Sequence, residues 1–253
     1  MHLIYYGANS WLWDLGNYRI LIDPWLVDSL VFGNMPWLFK GDHTIPINAL
    51  PDNIDLILLS QGLPDHTHKP TLQQLDHQIP VVGSPNATKT AKALGYKTVT
   101  AIAPGETYTS DRLEVRAFPG APVGITPENG YILTALPHDA APRTTLYYEP
   151  HGFPPSDIAT YGPVDIVISP IANLELPVAG AIIQGDKTAL TLAKALQPRL
   201  FLPTAVGGDI TYSGVLDALL STVGSIDKFR NALSDQQLST DVVEPTPQQA
   251  LRI

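Results

Sequence analysis

The chain has 253 residues, of which 44% are hydrophobic, and its formal net charge is -9 at pH 7. This length and composition predict a single domain over residues 1–253 with a sizeable core. The acidic balance and the lack of Lys/Arg clusters argue against a nucleic-acid partner, and the absence of cysteine excludes disulfides, thiolate metal sites and a cysteine nucleophile. Because the sequence contains no apolar stretch of membrane-spanning length and no signal-peptide pattern at Met1, we expect a soluble, cytoplasmic protein without a transmembrane segment.

Three short strands are predicted at the start of the chain. His2–Tyr6 and Trp11–Trp13 flank a turn at 7–10, and Arg19–Ile22 follows and ends at Asp23. Short strands joined by turn residues are typical of an antiparallel meander, so we expect these three in one sheet.

Residues 25–48 form a long segment without a regular pattern, and they are rich in apolar side chains. Irregular segments of this length inside a domain are commonly lids or binding loops, so we expect 25–48 near a cleft. Trp25, Phe32 and Trp37 are then candidates to contact the apolar part of a ligand or partner. Alternatively, these side chains cover the end of the core.

The central motif follows a buried strand predicted at Ile54–Leu59. Asp65, His66 and His68 lie just beyond it, and one carboxylate and two imidazoles within four positions are metal ligands in type and spacing. The alternative is a polar loop in which Asp65 caps a turn and the histidines are solvated.

The rest of the chain alternates strands and helices. A βαβ unit follows the central motif, so part of one sheet is parallel or mixed. Its predicted elements are helix Pro70–His77, strand Ile79–Val82, a helix from Ser84 (the N-cap) through Leu94, and strand Lys97–Thr100. The later predicted strands are Arg112–Phe118, Tyr131–Leu136, Thr144–Glu149, Val164–Ser169, Arg199–Leu202 and Asp241–Val243. The later predicted helices are Asp186–Leu196, Val215–Thr222 and Ser225–Leu233, and the tail 244–253 is expected to be loose.

Polar residues fall where predicted strands end. Asp23, the Asp65 motif, His151 and Asp209 all occupy such positions, which is where α/β proteins usually assemble a site.

Four motifs resemble those of the metallo-β-lactamase-fold hydrolases. They are Gly7-Ala8-Asn9-Ser10, Leu21-Ile22-Asp23-Pro24, Ser60-Gln61-Gly62-Leu63-Pro64-Asp65-His66 and Pro203-Thr204-Ala205-Val206-Gly207. The pattern is similar above all to the branch of small sugar-lactone and N-acyl-phospholipid hydrolases. The resemblance implies a four-layer αββα sandwich, an α/β fold with two mixed sheets and outer helices.

The same resemblance implies an incomplete metal motif. The family holds its first metal with three histidines, but here those positions are Gln61, Leu63 and the stretch 119–122, which has no histidine. At the second metal an Asp and a His remain as Asp65 and His66. The bridging Asp is replaced by His151, and the last His is replaced by Ala205.

The remaining residues imply at most one divalent ion, either Zn, Mn or Fe. Asp65, His66 and His151 would hold it, and His68 or Asp209 would be a possible fourth ligand. Gln61 would orient a bound water, and the loop residues His43 and His138 are further candidates to face the site.

Two functions are compatible with this motif. The first is single-metal hydrolysis of a small ester, lactone, amide or phosphodiester, with Asp65 or His66 carrying the proton. The second is a catalytically inactive descendant that binds no metal and uses the cleft and the loop 25–48 to bind a small molecule or a protein. A homo-oligomer is compatible with either, and the acidic charge argues against a nuclease.

Overall fold

The computed structural model describes residues 1–33, 35–124, 126–137, 143–177, 180–204 and 209–253. Within those ranges the chain forms twenty strands and four α-helices. The strands are β1 (His2–Gly7), β2 (Ser10–Asp14), β3 (Arg19–Ile22), β4 (Leu30–Val31), β5 (Lys40–His43), β6 (Leu56–Leu59), β7 (Val81–Gly83), β8 (Val99–Ala101), β9 (Thr107–Thr109), β10 (Leu113–Val123), β11 (Thr126–Ala135), β12 (Thr144–Tyr148), β13 (Ile166–Ser169), β14 (Asn173–Leu176), β15 (Gly180–Ile183), β16 (Leu200–Pro203), β17 (Ile210–Ser213), β18 (Ser221–Val223), β19 (Asp241–Val242) and β20 (Ala250–Arg252). The helices are α1 (Lys69–Gln74), α2 (Pro85–Ala93), α3 (Thr188–Leu196) and α4 (Ile226–Asp235).

The chain divides into two compact units. The first unit comprises Met1–Ile102, Gly207–Leu219 and Pro245–Ile253, and the second comprises Ala103–Val206 and Leu220–Glu244.

The first unit is built on a seven-stranded sheet in the order β20-β1-β2-β3-β6-β7-β8. The predicted opening meander is confirmed, because β1, β2 and β3 pair antiparallel and Leu3 lies opposite Trp13. From β3 onward the pairings are parallel. All four residues of β6 are buried, as expected for a parallel strand covered on both faces, and this strand leads directly into the central motif.

The second unit repeats the same pairing pattern. Its seven-stranded sheet has the order β9-β10-β11-β12-β13-β16-β19, antiparallel from β9 to β12 and parallel from β12 to β19. Both large sheets are therefore mixed, and the predicted α/β class with two mixed sheets is confirmed.

Helix α2 begins where the sequence predicted its cap. Ser84 Oγ accepts a hydrogen bond from the backbone N–H of Ala87 at 3.2 Å, and Pro85 is the first residue of α2. Ser225 caps α4 in the same way through Lys228 N–H. None of the helices in the described part of the chain combines the length and apolar character needed to cross a membrane.

The prediction of an irregular segment at 25–48 is wrong in part. The segment contains β4 and β5, which form a three-stranded sheet with β17 in the order β17-β5-β4. His43 pairs with Ile210 in this sheet. Strand partners so distant in sequence leave no local pattern, because each strand is only two to four residues long.

The predicted helix at Val215–Thr222 is also wrong. The chain instead forms a short 3-10 helix at Asp217–Leu219 and then β18, which pairs antiparallel with β14. The backbone N–H of Val215 donates to Trp37 O at 3.1 Å. Tertiary hydrogen bonds of this kind take up backbone groups that a helix would need, and they override a weak local propensity.

The tail 244–253 is not loose. Its strand β20 pairs antiparallel with β1, placing Leu251 opposite Leu3, and Gln248 N–H donates to Tyr5 O at 2.7 Å. The exposed edge of β1 accepts the tail because an unpaired strand edge offers a row of free backbone donors and acceptors.

Candidate metal centre

Asp23 connects the end of β3 to the loop that follows β6. Its backbone N–H donates to Leu58 O at 2.9 Å, and its fully buried carboxylate accepts hydrogen bonds from the backbone N–H of Ser60 (2.6 Å) and from Ser60 Oγ. The same carboxylate lies 2.7 Å from His66 Nδ1. Asp23 therefore fixes both the start of the motif loop and the orientation of the His66 ring.

The loop after β6 folds into a single tight turn. Leu63 O accepts the backbone N–H groups of His66 (3.0 Å) and Thr67 (2.8 Å), and Thr67 Oγ1 donates to Gln61 O at 2.5 Å. Gln61 is fully buried, whereas Asp65 is half-buried. The turn brings Asp65 and His66 side by side at the end of the strand, as the motif predicted.

His66 is buried between two carboxylates. Its Nδ1 faces Asp23 Oδ2, and its Nε2 lies 3.1 Å from Asp65 Oδ2. Burial lowers the pKa of His66, but the negative charges of Asp65 and Asp23 raise it further, to about 10. Because a carboxylate only accepts hydrogen bonds, both ring nitrogens carry a proton in the metal-free protein, with Nδ1–H facing Asp23 and Nε2–H facing Asp65.

Asn9 reaches the same point from the turn between β1 and β2. Its side-chain Nδ2 lies 3.4 Å from His66 Nε2 and 3.5 Å from Asp65 Oδ2, and the residue is 4% exposed. The sequence identified 7–10 as a turn but gave Asn9 no role, because one Asn in a turn is ordinary turn chemistry.

Asp209 anchors this turn from the other side. Its Oδ2 accepts hydrogen bonds from Tyr5 OH (2.6 Å) and from the backbone N–H of Ala8 (2.9 Å). Gly7 has a φ of +115°, a backbone conformation that favours glycine, and a Cβ there would lie 3.1 Å from His43 Nδ1 and 3.3 Å from Asp209 Oδ2. The structure thus gives Asp209, predicted as a possible fourth ligand, a contact with the turn that carries Asn9.

His68 has partners away from this point. Its Nδ1 lies 3.0 Å from Thr71 Oγ1, which also accepts the backbone N–H of Leu26 at 2.9 Å, and its ring centroid is 6.1 Å from that of Trp25. Burial lowers the pKa of His68 to about 4, although a hydrogen bond to the Ser29 backbone opposes the shift. His68 is therefore a neutral side chain that ties the chain after β3 to α1.

The predicted ligand-contacting aromatics differ in exposure. Trp25 is fully buried, with its ring 4.4 Å from that of His43, whose Nε2 lies 3.1 Å from Trp25 O. Burial lowers the pKa of His43. Phe32 is half-buried against Phe39, with centroids 5.7 Å apart, whereas Trp37 is 64% exposed. Trp25 is a core residue here, and Trp37 offers the largest accessible surface of the three.

His151 lies in the second unit, in the loop after β12. The fully buried Glu149 carboxylate accepts backbone N–H groups from Phe153 (2.6 Å), Ala121 (3.3 Å) and His151 itself (3.4 Å). Burial raises the pKa of Glu149, and these hydrogen bonds oppose the shift. His151 O accepts Gln184 N–H at 2.8 Å. The loop that carries His151 is therefore held by a carboxylate that the sequence did not single out.

The positions of the family's first metal site carry no histidine. Gln61 and Leu63 lie in the motif turn, and 119–122 lies in β10. His138 and Ala205, the remaining positions considered from the sequence, lie outside the described residues.

The family assignment follows from the whole chain. Residues 2–205 match the beta-lactamase superfamily domain. The chain belongs to the beta-lactamase superfamily. No protein among those with curated functions matches it.

Several solved structures share the fold along nearly the entire chain. A metallo hydrolase from the archaeon Ignicoccus hospitalis is 14% identical with a TM-score of 0.69, covering 99% of this chain and 97% of that chain. The isothiocyanate hydrolase from Delia radicum gut bacteria is 14% identical with a TM-score of 0.71, covering 100% of this chain and 99% of that chain. The metallo-β-lactamase fold protein YhfI from Bacillus subtilis is 16% identical with a TM-score of 0.62, covering 98% of this chain and 96% of that chain. At sequence identities this low, the similarity shows a shared fold alone.

Proposed function

We propose that this beta-lactamase superfamily member is a hydrolase that uses one divalent ion, held by Asp65, His66 and His151. The proposal rests on the contacts of the His66 ring, whose Nδ1 is hydrogen-bonded to Asp23 and whose Nε2 faces Asp65 Oδ2. Metal-binding histidines characteristically present one ring nitrogen to the ion and donate the other N–H to a carboxylate.

The donor set fits a divalent ion. Each of the three residues offers one ligand atom, and His66 is buried while Asp65 and His151 are half-buried. Imidazole and carboxylate ligands suit Zn, Mn and Fe, and three protein ligands leave a position open for water or substrate. When bound, such an ion polarises a substrate carbonyl or phosphoryl oxygen and lowers the pKa of a water molecule.

The protein groups around the ligands have supporting roles in this proposal. Asp23 and Ser60 face His66 Nδ1, so Nε2 is the ring nitrogen that would bind the ion after it loses its proton. Glu149 orders the loop of His151. The Asp65 carboxylate accepts the proton of the attacking water, and small esters, lactones, amides and phosphodiesters are the substrate classes that this chemistry serves.

Metal content tests the ligand assignment. Protein purified without chelator should contain about one equivalent of Zn, Mn or Fe per chain, and the His66→Ala, His151→Ala double variant should lose it. His2→Ala, at an exposed strand start, is the matched control, and Asp65→Asn removes a ligand charge at constant volume. Absence of metal, with no thermal shift on adding these ions, would refute the proposal and favour the inactive descendant.

A substrate panel tests the reaction. Nitrophenyl esters, lactones, anilides and phosphodiesters are incubated with protein as purified, after chelation, and after the ion is restored. An isothiocyanate is included because one protein of the same fold hydrolyses that group. Turnover should disappear on chelation and return with the ion, and hydrolysis that persists without metal would contradict the mechanism.

A further inference from the structure

Three polar atoms of the first unit converge on one point. His66 Nε2 and Asp65 Oδ2 are 3.1 Å apart, and the side-chain amide of Asn9 is 3.4 Å from the first and 3.5 Å from the second. The triangle joins the turn between β1 and β2 to the loop after β6, so two separate segments of the chain supply it.

These separations, two of them measured from Asn9 Nδ2, fit hydrogen bonds and are also compatible with three atoms that share one ion. Ligands about 2.1 Å from a metal, at octahedral or tetrahedral angles, lie roughly 3.0 to 3.4 Å from each other. The edges of 3.1, 3.4 and 3.5 Å are close to this range. A carboxylate, an imidazole and an amide oxygen are all established metal ligands.

In the structure the Asn9 amide nitrogen donates to Asp65 Oδ2, whereas a cation at this point would favour the amide oxygen. The Nδ1 proton of His66 is committed to Asp23, so Nε2 presents a lone pair once it is deprotonated. Asp65 Oδ2 presents lone pairs to the same point. The oxygen and nitrogen of an Asn amide exchange places by a 180° rotation, and the rotated amide of Asn9 points its Oδ1 there. A cation at this point would be within reach of all three side chains.

The turn that carries Asn9 is already ordered for this role. Asp209 Oδ2 holds Ala8 N–H and Tyr5 OH, and Ser10 Oγ donates to Asp23 O at 2.9 Å. The turn of Asn9 is therefore linked on one side to the anchor Asp209 and on the other to the backbone of Asp23, whose carboxylate orients His66. A ligand on a rigid turn loses little conformational freedom when the ion binds.

We infer that Asn9 is a ligand of the divalent ion, through its Oδ1, together with Asp65 and His66. The inference rests on the proposed function, because it concerns the same ion. With Asn9 included, the first unit supplies one nitrogen and two oxygen ligands. Such an oxygen-rich ligand set favours Mn or Fe more than a set of histidines alone would.

Metal affinity of single-site variants tests this inference. Chelator-competition titrations with Mn and Zn are run on the wild type, Asn9→Ala, Asn9→Asp and the exposed control Asn17→Ala. Asn9→Ala should bind about ten- to a hundredfold more weakly, Asn9→Asp should keep or exceed the wild-type affinity because it retains an oxygen donor, and Asn17→Ala should match the wild type. X-ray absorption at the metal edge should show one fewer oxygen neighbour in Asn9→Ala.

The outcomes separate the two claims. Wild-type affinity and an unchanged ligand shell in Asn9→Ala, with metal still lost from His66→Ala, would overturn the Asn9 assignment and leave the proposed function standing. A wild type that binds no ion would overturn both. If circular dichroism shows that Asn9→Ala is unfolded, Asn9→Ser replaces it, because its side chain is one atom too short to reach the ion and keeps a polar group in the turn.

Discussion

Replacing Asp23 with asparagine should weaken metal binding without changing the shape of the site. The carboxylate of Asp23 is fully buried and accepts from the backbone N–H of Ser60, from Ser60 Oγ and from His66 Nδ1. In Asp23→Asn the amide oxygen can keep the Ser60 N–H, but the amide NH2 then faces His66 Nδ1. His66 must accept at Nδ1, so its proton moves to Nε2, where the ion should bind.

The expected losses of metal affinity and of folding stability are moderate and measurable. Changes to the hydrogen-bond partner of a metal-bound histidine reduce metal affinity by about ten- to a hundredfold, or about 1.4 to 2.7 kcal/mol. In metal-free protein the imidazolium of His66 loses a buried, charge-assisted hydrogen bond, which should lower the free energy of unfolding by about 1.5–3 kcal/mol.

The assay has two parts. Isothermal titration gives the metal affinity, and urea denaturation with EDTA gives the stability of the metal-free protein. Asp235→Asn, at an exposed position at the end of α4, is the control for the loss of one negative charge. Metal affinity equal to that of the wild type in Asp23→Asn would refute the argument that Asp23 sets the tautomer of His66.

Four further predictions follow from buried titratable groups. Because the pKa of His66 is about 10 without metal, binding at Nε2 displaces one proton, and the apparent affinity should rise about tenfold per pH unit at neutral pH; a flat titration would contradict this. Because folding raises the pKa of His66 from 6.5 to about 10, protonated His66 stabilises the metal-free protein fully below pH 6.5. This stabilisation is lost as the pH rises through about 10, and urea denaturation at a series of pH values measures the loss. His68→Ala should keep the metal content of the wild type while lowering the free energy of unfolding by about 2 kcal/mol, and lost metal would show that His68 is a ligand after all. Glu149→Ala should cost about 2–4 kcal/mol in urea denaturation because three backbone N–H groups lose a buried acceptor, and a cost below about 1 kcal/mol would mean that water replaces it.

Local sequence pattern was sufficient for much of the fold. The apolar run that became β6 and the Ser84-Pro85 start of α2 depend on neighbours a few positions away, so periodicity and cap chemistry predicted them. Asp65 and His66 were also found from the sequence as candidate ligands, since they belong to one short motif after a strand. Their family resemblance is confirmed by the superfamily match.

Only the tertiary structure decided the elements and roles that depend on distant partners. The pairing of β5 with β17, of β14 with β18 and of β20 with β1 joins segments too short to show a period of their own. In the same way, Asn9 meets His66 across 57 positions, and Asp209 holds its turn across 201. A hydrogen bond between such distant residues leaves no trace in either local sequence, because the direction of each side chain is set by the sheet that carries it.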